Sequence, residues 1–557
     1  MAEELYASAL VAGHQALAFL KETPIYPSVV AAALGTHAIT QLYEPQPHEV
    51  LILSLLTNAG LFKYLESTTG GQDASVSLLS LIFKINLLYT ATLFLSVAIY
   101  RRFFHRARHF PGPLFASLTK FWAFFTLYSG NYHRTTRALH QKYGDFVRVG
   151  PREIDICNVH AIQALYSTST KCTKGPFYEG SVMGSHERFL QNETPSEHLW
   201  KRRIWEAGFN TKALRGYEPR VMHFVDELIR EVTERSKEGV VDLGLYLSFF
   251  TFDIMGDLGF GKSFEMLKHG KEHDYMTIVQ GFAVFGGMIS TIPWIATTFA
   301  YIPRNKAAEG LFTFAKERVK ERLPLGQTVK DVFSYLLVED RVTKKKYSEP
   351  ELVVESLMLS IGGSDTTSSS LATIIYMLIA NPDKFAKLKA EIDPYHGPLN
   401  HQTLSQFAYL NAIVREALRI LPPIGSGLLH RTTPPEGITI DGTYIPGNMN
   451  VGIGAYELQR DPRYYGKPDE FIPERWLGEG PEPFDRNAFM TFSHGPYSCV
   501  GKHLAYMELC DVTAALVRAF DMKFAPDYDP STYADAIKDS VISSRVKLPL
   551  LITPRNG

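Results

Sequence analysis

Cysteine is scarce in this chain of 557 residues: there are four, Cys157, Cys172, Cys499 and Cys510. Their spacing matches neither a zinc site nor a disulfide framework, which excludes both classes and fits a reducing compartment. Net charge is nearly absent as well. With 57 Lys and Arg against 58 Asp and Glu, the formal charge is −1, so no global field favours nucleic acid as a partner and any electrostatic docking must be local. Beyond residue 113 there is no internal repeat or long low-complexity tract. The extreme N-terminus lacks the basic stretch of a cleavable signal peptide and carries Glu3 and Glu4 instead.

What is abundant is apolar sequence, 45% of the chain, enough for one large core plus an appendage. Residues 1–105 look like the appendage, a membrane region with one to three transmembrane helices at about 25–43, 50–65 and 76–100. The third reaches the ~20 residues that cross a bilayer, provided Lys84 and Asn86 snorkel or face another helix. The first two are shorter, and buried or interfacial helices are the alternative. Arg101, Arg102, His105, Arg106, Arg108 and His109 follow, a basic flank that favours the cytosolic side. Residues 106–116, with Pro111, Gly112 and Pro113, read as a stiff hinge to a globular body at 117–557. If all three helices cross, the N-terminus lies in the lumen; otherwise parity decides. A cytosolic body leaves the sequon at Asn192 unglycosylated.

The body reads as mainly α with small β-sheets. Helical patterning covers 197–236, 306–322, 350–380, 404–420 and 501–520, while alternation at 145–156 and 438–445 predicts short strands.

The most informative stretch is FSHGPYSCVG, residues 492–501. Gly495, Pro496 and Gly501 permit a tight turn that sets Cys499 just ahead of a helical run, where backbone N–H groups offset the charge of a thiolate. Cys499 is therefore a candidate axial ligand for a haem iron, to which a thiolate would push electron density. The alternative is one more buried cysteine packed as a small hydrophobe. The loop resembles the haem-binding signature FxxGxxxCxG of the cytochrome P-450 superfamily, filled in register by Phe492, Gly495, Cys499 and Gly501. The resemblance implies that Phe492 packs beside the thiolate. It also exposes a departure: two residues before the cysteine the family usually carries an arginine for a haem propionate, and Tyr497 stands here.

Three further segments carry the resemblance. LMLSIGGSDTTSSS, residues 357–370, puts two glycines, an acid and several hydroxyls inside a helical pattern, where each lowers helix stability by up to ~1 kcal/mol. It matches the family's distal motif (A/G)Gx(D/E)T. The resemblance implies that Gly363 leaves space for dioxygen, that Thr366 opens the helix ladder and holds water, and that Asp365 relays protons. Glu416 and Arg419 share a helical face, and FIPERW supplies Arg475; in the family such a trio forms a buried network that supports the cysteine loop. His198 and Arg202, four apart, fit the family's propionate-contacting helix, and Arg431 lies where another propionate partner is common. As bare patterns, these pairs would otherwise be solvated surface charges.

The resemblance covers roughly residues 110–557 and is most like membrane-anchored fungal members of secondary metabolism, such as the tryprostatin hydroxylase type. It implies a P-450 fold behind an N-terminal helical membrane anchor, haem b (iron protoporphyrin IX) and O2 as cofactors, and a monooxygenase that inserts one oxygen atom into a lipophilic small molecule. Electrons would come from NADPH through a separate reductase in the same membrane, with cytochrome b5 as a further possible partner. The endoplasmic reticulum, with the catalytic domain in the cytosol, is the expected location. Desaturation, ring closure or oxidative coupling on the same scaffold is one alternative; a non-catalytic membrane haem-binding or sensing protein is another. Substrate contacts are expected within 174–189, 282–299, 358–362, 424–428 and 541–543, with 282–299 also facing the bilayer.

Overall fold

The structure is a computed structural model that describes residues 25–43, 45, 47–69, 75–180, 188–190, 194–295 and 306–555. Parts of two expected substrate-contact stretches, 181–187 of 174–189 and 296–299 of 282–299, and Asn192 and Glu193 of the sequon lie outside the described residues. The chain divides into two compact units, Met1–His109 and Phe110–Gly557.

Among the described residues the first unit has three helices, α1 (Ile25–Leu42), α2 (Pro47–Thr69) and α3 (Ser75–Ile99), the last continued by a π turn at Tyr100–Phe104. Polar groups meet between the helices. Asn86 Nδ2 of α3 donates to Asn58 Oδ1 of α2 at 2.7 Å, Tyr89 OH donates to Thr36 Oγ1 of α1 at 2.8 Å, and His37 Nδ1 lies 2.6 Å from Ser96 Oγ. Asn86, which the sequence required to snorkel or find a neighbouring helix, does the second. Large apolar side chains such as Leu51, Leu53, Leu56, Phe83 and Phe94 are exposed. A unit that turns polar groups inward and leaves apolar ones uncovered inverts the order of a water-soluble core.

In the second unit the core elements are α4 (Tyr132–Tyr143), α5 (Pro195–Gly208), α6 (Thr211–Ser236), α7 (Leu243–Phe260), α8 (Asp274–Ser290), α9 (Lys306–Arg322), α10 (Glu349–Ala380), α11 (Ala408–Ile420) and α12 (Lys502–Ala519). Two stretches are long and apolar enough to cross a bilayer, but they differ in cover: Leu78–Phe104 is 11% buried, whereas Leu243–Phe260 is 89% buried and so serves as a core helix. α10 starts with a capping box, Ser348 with Glu351, and Pro350 in its first turn. Its Leu371, Ile374, Ile375 and Leu378 are fully buried, at about 1.5–3 kcal/mol each, which offsets the glycine and hydroxyl residues in its middle. α7 crosses it closely because Gly259 lacks a side chain; a Cβ there would stand 3.0 Å from Leu359 Cδ2.

Five short strands form the main sheet: β1 (Phe146–Gly150), β2 (Glu153–Ile156), β3 (Thr173–Lys174), β4 (Arg431–Thr432) and β5 (Asn450–Gly452), in spatial order β1-β2-β5-β4-β3. β2 and β5 are parallel, and the other pairs are antiparallel. The register sets Lys174 opposite Arg431, two cations far apart in sequence.

Candidate active site

The cysteine loop is a chain of local constraints. Ser493 and Gly495 take left-handed φ of 54° and 67°, and a Cβ on Gly495 would overlap the carbonyl oxygen of Tyr166, so glycine is required there. Cys499 N then donates to Phe492 O at 2.9 Å, which closes the loop just before α12. Cys157, Cys172 and Cys510 are buried, whereas Cys499 is exposed. Even so, burial pushes its thiol pKa up, while the backbone N–H groups of Gly501 and Lys502 and the charges of Arg202 and Lys502 pull it down. Exposure and desolvation coexist when a side chain faces a space inside the protein. The N–H groups at the start of α12 are the groups that stabilise a thiolate there.

α10 shows a matching trait. Among its mostly buried residues, Met358, Gly362, Gly363, Asp365, Thr366 and Ser369 are partly accessible, a stripe along the middle of the helix. Thr366 Oγ1 donates to Gly362 O at 2.6 Å, inside the helix ladder. Asp365 turns toward α8, where its Oδ1 accepts from Gln280 Nε2 at 2.9 Å. Burial raises the Asp365 pKa, against the Gln280 hydrogen bond and the field of Arg545. Gly363 is partly accessible like Gly362; a Cβ on it would overlap the thioether of Met255 of α7, whereas one on Gly362 would meet only Met358 Cε at 3.4 Å.

Beside the cysteine loop, Tyr497 acts as a hub. Lys174 Nζ lies 4.4 Å and the Arg431 guanidinium 5.1 Å from its ring centre, and the His198 ring packs 4.5 Å away. Arg202 reaches the loop through Nη1, which donates to Ser498 O at 2.6 Å. Burial, and then Lys174, Arg202 and Arg431, lower the His198 pKa to about 3, so its imidazole is neutral. Arg431 is itself buried, donates to Tyr178 OH at 3.0 Å, and keeps Nε without a partner. The arrangement gathers cations around one concave spot and supplies one buried N–H for an incoming acceptor.

Glu416, Arg419 and Arg475 meet in a fully buried cluster. Arg419 donates twice to the Glu416 carboxylate, at 2.9 Å each, and Arg475 Nε donates at 2.9 Å. Ile472 N at 3.0 Å and Trp476 Nε1 at 2.9 Å complete its coordination. Two participants were not anticipated from sequence. Trp476 belongs to the FIPERW segment and was readable there. Gln459 carried no signal, yet its Oε1 accepts from Met490 N at 2.6 Å and Thr491 N at 3.0 Å while Nε2 donates to Arg419 O at 3.0 Å, tying α11 to the strand of loop that leads to Cys499. Gln280 and Lys174 were likewise invisible as site residues, being set by helix and strand register.

A cavity of ≈ 1010 Å³ lies elsewhere, lined by Arg134, Arg137, Asp383, Lys384, Arg460 and Asp469 among others. It includes neither the cysteine loop nor the accessible stripe of α10, and its charged lining does not suit a lipophilic guest.

Comparison with known proteins supplies the family. The Cytochrome P450 profile matches residues 111–546. The chain is 35% identical over 470 residues to the cytochrome P450 monooxygenase FCK2 of Fusarium pseudograminearum, covering 83% of this chain and 85% of that protein. It is 34% identical over 476 residues to tryprostatin B 6-hydroxylase of Aspergillus fumigatus, covering 84% of each. In fold it is similar to retinoic acid-bound cyanobacterial CYP120A1, with TM-score 0.66 and 22% identity over 80% of this chain and 99% of that one. A match of this extent, on a helical body with one exposed thiol at Cys499, makes the chain a member of the cytochrome P450 family.

Proposed function

We propose that Cys499 is the axial thiolate of haem b, in a monooxygenase that delivers one atom of O2 to a lipophilic fungal secondary metabolite. That the protein is a haem-thiolate monooxygenase which works with a redox partner follows from its family and its relatives. The assignment of residues rests on one observation: the Cys499 sulfur is accessible yet desolvated, with the first N–H groups of α12 around it. Bound haem supplies the iron at which O2 is reduced for transfer to the substrate. The chain's own residues hold that group and manage protons.

Arg202, Arg431 and Lys174 are the partners for its two carboxylates, with neutral His198 as a hydrogen-bond donor beside them. Mutual repulsion among these cations is relieved by two negative charges, and Arg431 Nε gains the acceptor it lacks. Tyr497, which cannot pair with a carboxylate by charge, holds two of the cations by its ring instead. On the opposite side, Thr366 presents a hydroxyl on the accessible stripe of α10. Asp365, whose burial favours the protonated acid, carries a proton toward that stripe, with Gln280 fixing its orientation. Glu416, Arg419 and Arg475 act at a distance, by holding the loop that presents the sulfur.

Residues 1–105 serve as the membrane anchor, 106–116 as hinge and 117–557 as the catalytic domain, on the cytosolic face of the endoplasmic reticulum. The uncovered apolar surface of α1–α3 and the arginines after Ile99 support this. NADPH-cytochrome P450 reductase, with cytochrome b5 as an accessory donor, is the redox partner that such placement serves. A relative named for hydroxylating tryprostatin B supports a small-molecule substrate.

The test is spectroscopic. Purified protein, reduced and exposed to carbon monoxide, is expected to show the red-shifted Soret band of a thiolate-ligated haem, and Cys499→Ser is expected to remove it. Persistence of the band in the variant overturns the assignment.

A further inference from the structure

A second cluster of ligating groups lies at β2 of the main sheet and contains none of the residues of the cysteine loop. His140 of α4, Asp155 of β2 and Glu457 of the short helix Ala455–Leu458 bring one imidazole nitrogen and two carboxylates together, with the ligating atoms all within 4.8 Å of one another. Asp155 is 0% and Glu457 2% exposed. Asp155 Oδ2 and both Glu457 oxygens have no hydrogen-bond partner, and the Tyr132 hydroxyl, also 0% exposed and within the field of both acids, has none either. Asp155 Oδ1 faces His140 Nε2 at 3.2 Å, but three carboxylate oxygens without a hydrogen-bond partner in one dry spot remain unfavourable.

The surrounding acids do not share the problem. Glu153 is paired with Lys120 at 2.5 Å, Asp539 with His133 at 3.4 Å, and Asp461 with Arg463 at 2.6 Å. The unpartnered carboxylate oxygens are therefore those of Asp155 and Glu457. The backbone is shaped around it, because a Cβ on Gly427 would overlap Asp155 Oδ2 and a Cβ on Gly454 would overlap the Glu457 carboxylate.

The imidazole is oriented as a ligand. His140 Nδ1 lies 2.9 Å from Gly144 O, so it carries the hydrogen and donates to that carbonyl; in the neutral ring this leaves Nε2 bare, 3.2 Å from Asp155 Oδ1. A lone pair facing a carboxylate oxygen at that distance repels it unless a cation or a proton lies between. A carbonyl that fixes the far nitrogen of a histidine is the usual outer support of a metal-bound imidazole.

We propose that His140, Asp155 and Glu457 form a binding site for a divalent transition-metal cation of the Zn²⁺ type, with the Tyr132 hydroxyl or a water as fourth ligand. One imidazole with two carboxylates is a hard-to-borderline set that suits zinc, at ligand distances of about 2.0–2.2 Å. The ion joins α4 and β2 to the short helix Ala455–Leu458, beside Gly427 of the turn expected to contact substrate. When no cation is present the pair is held by a proton instead, since burial and then Asp155 push the Glu457 carboxyl well up.

The experiment uses the haem-loaded full chain. Zinc analysis after dialysis, and Zn²⁺ titration against a chromophoric chelator, are expected to find one site per chain in addition to the haem iron. Glu457→Gln and His140→Gln are each expected to weaken Zn²⁺ binding by about 100-fold or more, since even outer-shell losses cost 10–100-fold, and added Zn²⁺ should raise the melting temperature of the parent protein but of neither variant. The carbon monoxide Soret band is expected to survive in both, which separates this site from the Cys499 assignment and shows that the variants fold. If one variant loses the band, the other decides. A parent protein with no saturable Zn²⁺ site, or folded variants that bind Zn²⁺ as tightly as the parent, overturns the proposal as an adventitious ion only.

Discussion

Replacement of Glu416 by Gln keeps the shape of the side chain and removes its charge, leaving Arg419 and Arg475 in a fully buried site without a counter-ion. Five donors converge on that carboxylate: two from Arg419 and one each from Arg475, Ile472 N and Trp476. An amide turns one acceptor into a donor, which meets guanidinium hydrogens head-on. Loss of one member of such a buried network costs about 3–5 kcal/mol. A catalytic unit of roughly 450 residues, with an unfolding entropy of about 2.1 cal/mol/K per residue, converts that into a fall in melting temperature of roughly 3–5 °C. The assay is loss of the carbon monoxide Soret band on heating, read at one scan rate because large proteins unfold irreversibly. The pH dependence carries the same sign. Burial would raise the Glu416 pKa, but Arg419 and then Arg475 outweigh it and hold the carboxyl below its ordinary 4.5. A group with a depressed folded pKa contributes its full stability above 4.5 and loses it as pH falls through the lower folded value, so the gap between parent and Glu416→Gln should narrow in acid below pH 4.5. Equal melting temperatures at pH 7, with haem retained equally, would refute the reasoning.

Three other substitutions test separate parts of the site. Thr366→Ala removes the hydroxyl bonded to Gly362 O and should divert reducing equivalents to hydrogen peroxide; the ratio of product to electrons consumed is the readout, and unchanged coupling counts against a proton role. Tyr497→Leu deletes the ring that holds Lys174 and Arg431, two cation–π contacts of about 0.5–2 kcal/mol each, and should speed haem transfer to a haem-free globin roughly tenfold, whereas Tyr497→Phe should not. Gly363→Ala should lower the melting temperature through overlap with Met255, an overpacking cost of about 1–3 kcal/mol, and the added Met255→Ala should restore part of it; a double variant no better than the single one would mean that the methyl group finds room elsewhere.

The features legible in sequence are those where chemistry demands residues that local propensity would refuse. Glycines and hydroxyls inside α10, or a cysteine in a turn of Gly and Pro, stand out because a helix or a core would not choose them. The long helices announced themselves by period, and residues 349–380 and 502–519 fall within a few positions of the patterns read for them. Residues placed by long-range register stayed hidden. Lys174 reaches Tyr497 only because a two-residue strand pairs with Arg431, and a strand that short has no periodicity to read. Gln280 and Gln459 are ordinary polar residues in sequence, and only the packing of α8 on α10, or of residue 459 under the cysteine loop, gives them partners. Gly363 shows another limit: the motif was visible in sequence, but its contact with Met255 of α7 at the helix crossing was not.

Tyr497 shows how such a site tolerates the loss of an expected charge. An arginine at that position would add a fourth cation to Lys174, Arg202 and Arg431, in surroundings that already keep His198 neutral. A phenol ring adds none, and its face attracts two of the three, so each is held in place before any carboxylate arrives. Pre-placed cations lose less side-chain entropy on binding than free ones, by about 0.5–1.5 kcal/mol per immobilised side chain. The substitution therefore trades one direct ion pair for better positioning of two others. If so, Tyr497→Arg should not tighten haem retention: it supplies a charge but releases the clamp and adds repulsion. Haem transfer from Tyr497→Arg as fast as from Tyr497→Leu fits this account, and transfer slower than from the parent protein contradicts it.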